Sequence, residues 1–271
     1  MLTICMAAGC VWPANKTAQV WAAESDPADG LIGYWTFEGS SEAERLANKA
    51  SEQAVTAVKT GNGVSFDNAG GIGGTSAASF SGDRSSYLTL NLAEANLGVT
   101  ASGAFTLGLW IKINSLPASN ENTSIFHQEG DQNGNGRAVL TIGGTGKLGT
   151  YLDATNRYCT DTIQAEEWHH VMIAVEAAGG NTRNVHFYLD GTKTNQEAFT
   201  GNFVNGSGNI RVGAHRVNTE NSAVNGIMDE IRYYNKVLSA DTIKAIYELH
   251  GEDVELKALK EELRVLIQRA E

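Results

Sequence analysis

FTLGLWIKI, residues 105–113, places Phe105, Leu107, Leu109, Ile111 and Ile113 at alternate positions. Successive side chains of a β-strand point to opposite faces, so this period of two puts all five on one face and predicts a half-buried strand. The same period runs through NVHFYLDG, residues 184–191, where Val185, Phe187 and Leu189 share one face while His186 and Tyr188 take the other. Asp190 and Gly191 then supply a hairpin turn. Outward from these two runs, further β-type stretches are read at 31–37, 76–80, 87–91, 124–128, 137–142, 148–153, 168–176, 209–213 and 226–234, with Gly-, Asn- and Ser-rich turn clusters between them. Many short strands with turn signals at this spacing predict an all-β sandwich or jelly roll.

The chain has 271 residues, 42% hydrophobic and 19% charged, enough for one sizeable core, and one main domain over 31–250 is expected. Its formal charge is −11 with no basic cluster, so it has no electrostatic footprint for nucleic acid. Thirty glycines against three prolines favour turns over rigid linkers. At the N-terminus an apolar run from Leu2 to Trp12, followed by Ala22 and Ala23, resembles a secretory leader without the usual basic start. Residues 1–23 are therefore read as a signal peptide and 24–30 as a flexible segment, which predicts a secreted, periplasmic or cell-surface protein. The leader run is too short to span a bilayer. Cys5 and Cys10 fall inside it, so the domain keeps Cys159 as a lone thiol without a disulfide.

GIMDEIRYY, residues 226–234, is a strand with two adjacent carboxylates, Asp229 and Glu230, in its middle. One of them must face whatever the strand packs against, and an unpaired carboxylate there is costly. A cation, a hydrogen-bonded structural site and a catalytic acid all satisfy that constraint. Taken in order, LIGYWTFEGS, AASFSGDRSSYLTL, FTLGLWIKI, WHHVMIAVE, VHFYLDGTK, IRVGAH and NGIMDEIRYYNKVLSADTIKAIYE resemble the bacterial LamG-like jelly-roll domains of the concanavalin A-like lectin and glucanase superfamily. The resemblance covers about residues 31–250 and implies two antiparallel sheets, one of them curved and able to hold a glycan on its concave face. It also implies a structural calcium, with Glu38, the Ser81–Asp83 stretch and Asp229 at the matching positions; hard oxygen ligands from distant segments suit that ion. Asp229 is then a calcium ligand or, failing that, a hydrogen-bonded structural acid, and Glu230 points outward.

Other chemistry is weaker. Asp131, Asn133, Asn135 and Gly136 match the first half of an EF-hand loop, but Ile142 stands where its bidentate Glu belongs. The acid-rich E-x-D-x-x-E strand of the superfamily's glucanases is missing. Asp153 in TYLDAT and Asp190 in FYLDGT echo a carboxylate pair, and each is also explained by a turn. Adjacent His169 and His170 face opposite ways on a strand, and the other histidines lack zinc spacing. Sugars are bound by flat aromatics and by side chains that hydrogen-bond hydroxyls. His127, Arg137, Tyr151, Arg157 and Tyr158 have those properties and lie where they would border the concave face, while Trp110 and Trp168 are expected in the core. The expected function is a secreted lectin-like module that binds a glycan or glycoprotein. The alternatives are a hydrolase of glycoproteins, such as mucin-type substrates, or of glycans, and a structural adhesion or assembly module.

The C-terminal region reads differently. Ser239 is an N-cap, Ile243 and Ile246 follow at helical spacing, and Gly251 is a stop. Residues 251–271 then place Leu256, Leu259, Leu263, Leu266 and Ala270 on a 3-4-3-4 stripe, a seam of about two heptads. That seam buries itself either on the domain or on a second copy. A short coiled coil is marginal alone, and charges of both signs around the stripe permit self-pairing. A weak, concentration-dependent dimer or trimer is expected. Sedimentation with and without residues 252–271 checks it: a monomer at every concentration in both forms counts against the stalk.

Overall fold

The computed structural model describes residues 27–50, 55–92, 104–128, 137–151, 156–179, 182–200, 209–215 and 223–250. Its elements are β1 (Leu31–Trp35), α1 (Glu42–Arg45), β2 (Ala57–Thr60), β3 (Val64–Asp67), β4 (Ala77–Ser81), β5 (Tyr87–Leu90), β6 (Phe105–Ile113), β7 (Asn122–Gln128) and β8 (Arg137–Gly143). They continue with β9 (Lys147–Tyr151), β10 (Asn156–Thr162), β11 (His169–Gly179), β12 (Thr182–Leu189), β13 (Thr192–Thr200), β14 (Ile210–Val212) and β15 (Asn225–Tyr234). Residues 240–250 form α2. One sheet has eight strands in the order β13, β12, β11, β6, β15, β4, β3, with β1 also paired to β15. The other has seven, in the order β10, β9, β8, β7, β14, β5, β2. The architecture is the expected antiparallel jelly-roll sandwich. Every predicted strand is present with its ends moved by a few residues, and β2, β3, β10 and β13 are additional. The short helix α1, which the sequence reading did not include, is held by a reciprocal capping box of Ser41 and Glu44.

The five alternating residues of β6, with Val185 and Phe187 of β12, face Leu88, Leu90, Phe126, Leu140, Ile142, Leu148, Ile210 and Val212 of the other sheet across the main core. A second, smaller core lies on the opposite face of the eight-stranded sheet. There Met172, Ala174, Tyr188 and Tyr234 pack against Leu238, Ile243 and Ile246. This explains why β11 reads as an unbroken apolar run, since both its faces are covered. The helix starts where predicted: Ser239 Oγ accepts the Thr242 N–H at 3.1 Å. The β12–β13 hairpin also turns as predicted, with φ of 48° at Asp190 and 73° at Gly191, the left-handed pair of a tight hairpin turn. Asp190 Oδ1 accepts the His170 N–H at 2.8 Å, and its Oδ2 lies 2.9 Å from His169 Nδ1.

Strand β15 changes partner along one edge. It pairs with β4 over Asn225–Met228 and with β1 over Ile231–Tyr234. On its β6 side the register breaks between Asp229 and Arg232, and Glu230 takes a φ of 55°. The bulge buries both acids, Asp229 at 0% and Glu230 at 5% exposure. Glu230 points to the outer face of its sheet, but it is covered there by α2 and not exposed to solvent, which corrects a solvent-facing reading. Its Oε2 accepts from Tyr34 Oη at 2.5 Å and Arg232 Nη2 at 2.7 Å, with His250 Nε2 of α2 at 3.4 Å. Burial acts to raise the Glu230 pKa, but His250, Arg232 and Tyr34 outweigh it and hold it below the ordinary value. Nearby, His170 lies against Trp110 and Tyr247, and burial followed by the Arg232 charge pushes its pKa down to about 3, so it is neutral.

Asp229 clamps the turn before β4. Its Oδ2 lies 3.1 Å from the Ile72 N–H and 2.9 Å from Thr75 Oγ1, and its Oδ1 accepts the Glu230 N–H at 2.8 Å. Thr75 Oγ1 is also 2.6 Å from Ile72 O, so a single hydroxyl hydrogen faces two oxygens. A neutral Asp229 removes the conflict, donating its own O–H to Thr75, which donates to Ile72 O. Burial, then the Glu230 charge, pushes the Asp229 pKa up from 3.8 to about 8, in agreement with that arrangement. The turn closes so tightly that a Cβ on Gly71 would fall 2.5 Å from Asp229 Oδ2.

Since the folded protein keeps this proton up to about pH 8 and the unfolded chain releases it around 3.8, the stability it contributes is complete below the lower value. It is lost as the pH rises to the upper one. Thermal unfolding across that range is expected to show a falling melting temperature in the wild type that Asp229→Asn, an isostere of the neutral acid, lacks. Asp229→Ala strands buried N–H groups and should cost about 1–3 kcal/mol at the acid end of the range, and it too should lack the slope. An identical pH slope in the Asn variant would overturn the raised pKa.

Candidate functional site

One register row crosses all seven strands of the second sheet. Cα partners run from Val58 to Thr89, Arg211, His127, Ala138, Tyr151 and Asn156. Their sequence neighbours Leu88, Leu90, Phe126, Val139, Ile210 and Val212 lie in the core, so the row is on the outer face. Two of the expected ligand residues, His127 and Tyr151, stand in it. Tyr151 is 38% exposed. His127 is only 1% exposed, with its ring 4.2 Å from that of His215, and presents almost no surface to a ligand. At mid-row the Arg211 guanidinium lies 3.8 Å from the centre of the Tyr87 ring, and Nη1 donates to His215 O at 2.9 Å. Neither Arg211 nor Tyr87 was picked out from sequence; the outward positions of IRV and YLTL were the available signal.

Beside this row, Tyr158 pairs with Gly149, and Gly149 with Thr141. The Tyr158 ring lies on the sheet over Gly149, where a Cβ would come within 2.7 Å of its Cδ1. Tyr158 Oη donates to Asn122 Oδ1 at 3.3 Å, and the residue is 37% exposed. The ring borders a groove of about 360 Å³ whose other walls include Asn120, Glu121, Asn122, Lys147 and Asn156. An aromatic face, three carboxamides and one ammonium can together stack on a ring and hydrogen-bond hydroxyls.

The remaining expected residues go elsewhere. Arg157 has the opposite parity to Tyr158, and its Nε donates to Ala198 O of β13 at 2.9 Å, stitching the edges of the two sheets. Its placement on the ligand face is thereby corrected. Arg137 opens β8, paired with Gln128, and its side chain lies outside the described residues. Asp153 and the 129–136 loop lie outside them too. Asp190 is engaged by the hairpin and His169. Trp110 is buried as expected, whereas Trp168 is only partly so, with Lys112 Nζ 5.8 Å from its ring centre.

The three acids expected to hold calcium do not meet. Glu38 accepts from Ser76 N–H at 2.6 Å and Ser76 Oγ at 3.1 Å, and so grips the turn that Asp229 clamps. Asp83 follows the other end of β4, where it accepts from the Ser85 N–H and the hydroxyls of Ser85 and Ser86. Those bonds, Ser86 first, hold its pKa below the ordinary value. The five residues of β4 span about 17 Å, far beyond the roughly 2.5 Å reach of a calcium–oxygen bond. Asp229 itself faces N–H and O–H groups, so this donor set suits a hydrogen-bonded acid and not a cation. Among the described residues no group of three or more His, Cys, Asp or Glu is placed to hold a metal ion.

Comparison with known proteins agrees with the fold. No match was found among curated proteins. Among solved structures, the binding domain of Paraclostridial Mosquitocidal Protein 1 superposes with a TM-score of 0.60 at 14% identity, over 82% of this chain and 52% of that one. The botulinum neurotoxin type G receptor-binding domain gives 0.57 at 14% identity, over 81% and 51%. This chain thus spans about half the length of those toxin domains. Domain 4 of the extracellular arabinanase AbnA from Geobacillus stearothermophilus, solved with arabinotriose, gives 0.57 at 16% identity, over 80% of this chain and 98% of that one. A family model described as the concanavalin A-like lectin/glucanases superfamily matches residues 81–244, more than half of the sequence, and the chain belongs to that superfamily.

Proposed function

We propose that this chain is a lectin-like module that binds a glycan, free or on a glycoprotein, in the groove beside Tyr158 and performs no chemistry on it. The observation that carries the reading is the exposed Tyr158 ring, laid over Gly149 and held by Asn122 at the edge of a groove lined with carboxamides. A fixed aromatic plate stacks on the C–H face of a sugar, and the amides around it exchange hydrogen bonds with hydroxyls. The similarity to a domain solved with arabinotriose supports the same class of ligand. A non-catalytic role is supported by the carboxylates already described: Asp190, Asp229 and Glu230 are each tied into structural bonds. Read together with the expected leader at 1–23, the module would work outside the cell or on its surface.

A glycan array on residues 27–250, followed by calorimetric titration of the best binders, tests this. Tyr158→Ala is expected to weaken binding about tenfold or more, roughly 1.4 kcal/mol. Gly149→Ala should weaken it comparably, because the new methyl displaces the ring, while the melting temperature changes little. Turnover of any bound glycan, or binding indifferent to both substitutions, would overturn the proposal.

A further inference from the structure

A second depression lies next to the groove, at one open end of the sandwich. It has a volume of about 270 Å³, with Ile113, Leu116 and Ile142 among its apolar walls and Ser115, Thr123 and Asn225 among its polar ones. Ile113 and Ile142 belong to the main core, so the depression enters between the two sheets. None of its lining residues is ionisable. Asn114 Nδ2 donates to Asn225 Oδ1 at 2.8 Å, which leaves the Asn225 amide nitrogen as a donor. Uncharged donors and acceptors above an apolar floor match a ring that has hydroxyls on its rim and C–H groups on its face.

The two depressions share their walls. Ser115 and Leu116 line the cleft, and Asn120–Asn122 line the groove. Asn122 and Thr123 are consecutive, as are Ile142 and Gly143, and in each pair one member faces the groove and the other the cleft. Consecutive Cα atoms are about 3.8 Å apart, so the linings meet at the backbone. The 115–121 segment is the ridge between them. It is pinned by the Glu121 N–H to Ala118 O at 2.9 Å and, at its start, by the Asn114 N–H to Asn225 O at 2.9 Å.

We infer that groove and cleft are two subsites for one uncharged oligosaccharide, which crosses the 115–121 ridge and seats one sugar against Tyr158 and another in the inter-sheet cleft. This rests on the glycan-binding reading of the groove. The cleft is smaller than the roughly 300–1,000 Å³ of pockets for drug-sized ligands, which fits a single ring better than a longer stretch of chain. Ser115 is exposed at its mouth, so it can be replaced without disturbing the core.

The test is calorimetric titration with neutral oligosaccharides from arabinan, xylan, cellulose and galactan, from disaccharide to hexasaccharide, alongside an oligogalacturonate series. Affinity for the recognised neutral series is expected to rise about tenfold or more with chain length and then level off. Ser115→Trp, which fills the mouth of the cleft, should abolish that gain and leave the shortest bound member unaffected; Ser115→Ala should keep the gain. If Tyr158→Ala weakens binding but neither chain length nor Ser115→Trp matters, the second subsite is overturned and the first stands. The second subsite is likewise overturned if Ser115→Trp weakens short and long members equally. Tighter binding of the oligogalacturonates overturns an uncharged ligand. Binding that ignores Tyr158→Ala, or no binding by any series, overturns groove and cleft together.

Discussion

The strand that closes the eight-stranded sheet has to serve two partners on one edge, and the fold depends on how that change is managed. At the point where β15 leaves β4 and takes up β1, a gap opens in the ladder, and backbone groups around it would lose their partners. Asp229 fills the gap from the strand side by binding the Ile72 N–H and Thr75 Oγ1. Glu38, just beyond β1, fills it from the other side by binding Ser76. The first and last strands of the sandwich are therefore joined through one turn held by two acids. The bulge at Glu230 makes this geometry available, because an extra residue lets adjacent carboxylates both be buried on the same face of the strand.

The same bulge decides which surface is left for a ligand. Buried on the outer face of its sheet, Glu230 anchors Tyr34 and Arg232 and lies within reach of His250 at the end of α2. A buried ion pair of this kind adds little net stability over an apolar pair, but removing one partner is costly, so it acts chiefly to fix placement. Here it seats α2 on the outer face of the eight-stranded sheet, with Ile243 and Ile246 supplying the apolar contact. Among the described residues, the outer face of the seven-stranded sheet keeps exposed side chains such as Val58 at one end and Tyr151 at the other. The exposed rings Tyr151 and Tyr158 both lie on it.

Much of this was legible in the sequence, and the parts that were not share a cause. The interior strands were read because one face or both faces are apolar. The four unread strands, β2, β3, β10 and β13, are the outermost strands of the two sheets. Edge strands such as NRYCTDT and TKTNQEAFT carry polar residues where a central strand carries apolar ones, which removes the period the reading depends on. Missing β10 also explains Arg157. Tyr158 and Arg157 are equally plausible sugar ligands until the strand is known, and only its parity sends one outward and the other toward β13. The burial of Glu230 was hidden because a change of pairing partner leaves no mark in local periodicity. The three acids expected to share a calcium are held apart by distance, since motif order along the chain does not show that β4 separates Asp83 from the Asp229 clamp.

The Tyr158 site illustrates a constraint that no single strand carries. A tyrosine on an outer sheet face ordinarily stands away from the backbone and samples several rotamers, and holding it still for a ligand costs side-chain entropy. Gly149 on the neighbouring strand removes the methyl that would prop the ring up. Asn122, on a third strand, fixes the hydroxyl. The ring is thus ordered before any ligand arrives, and that part of the entropic cost falls on folding instead of on binding. Since the ordering comes from three strands in register, the adjoining loops are free to differ in sequence without loosening the plate. Recognition can then diverge in the loops while the stacking surface stays fixed to the sheet.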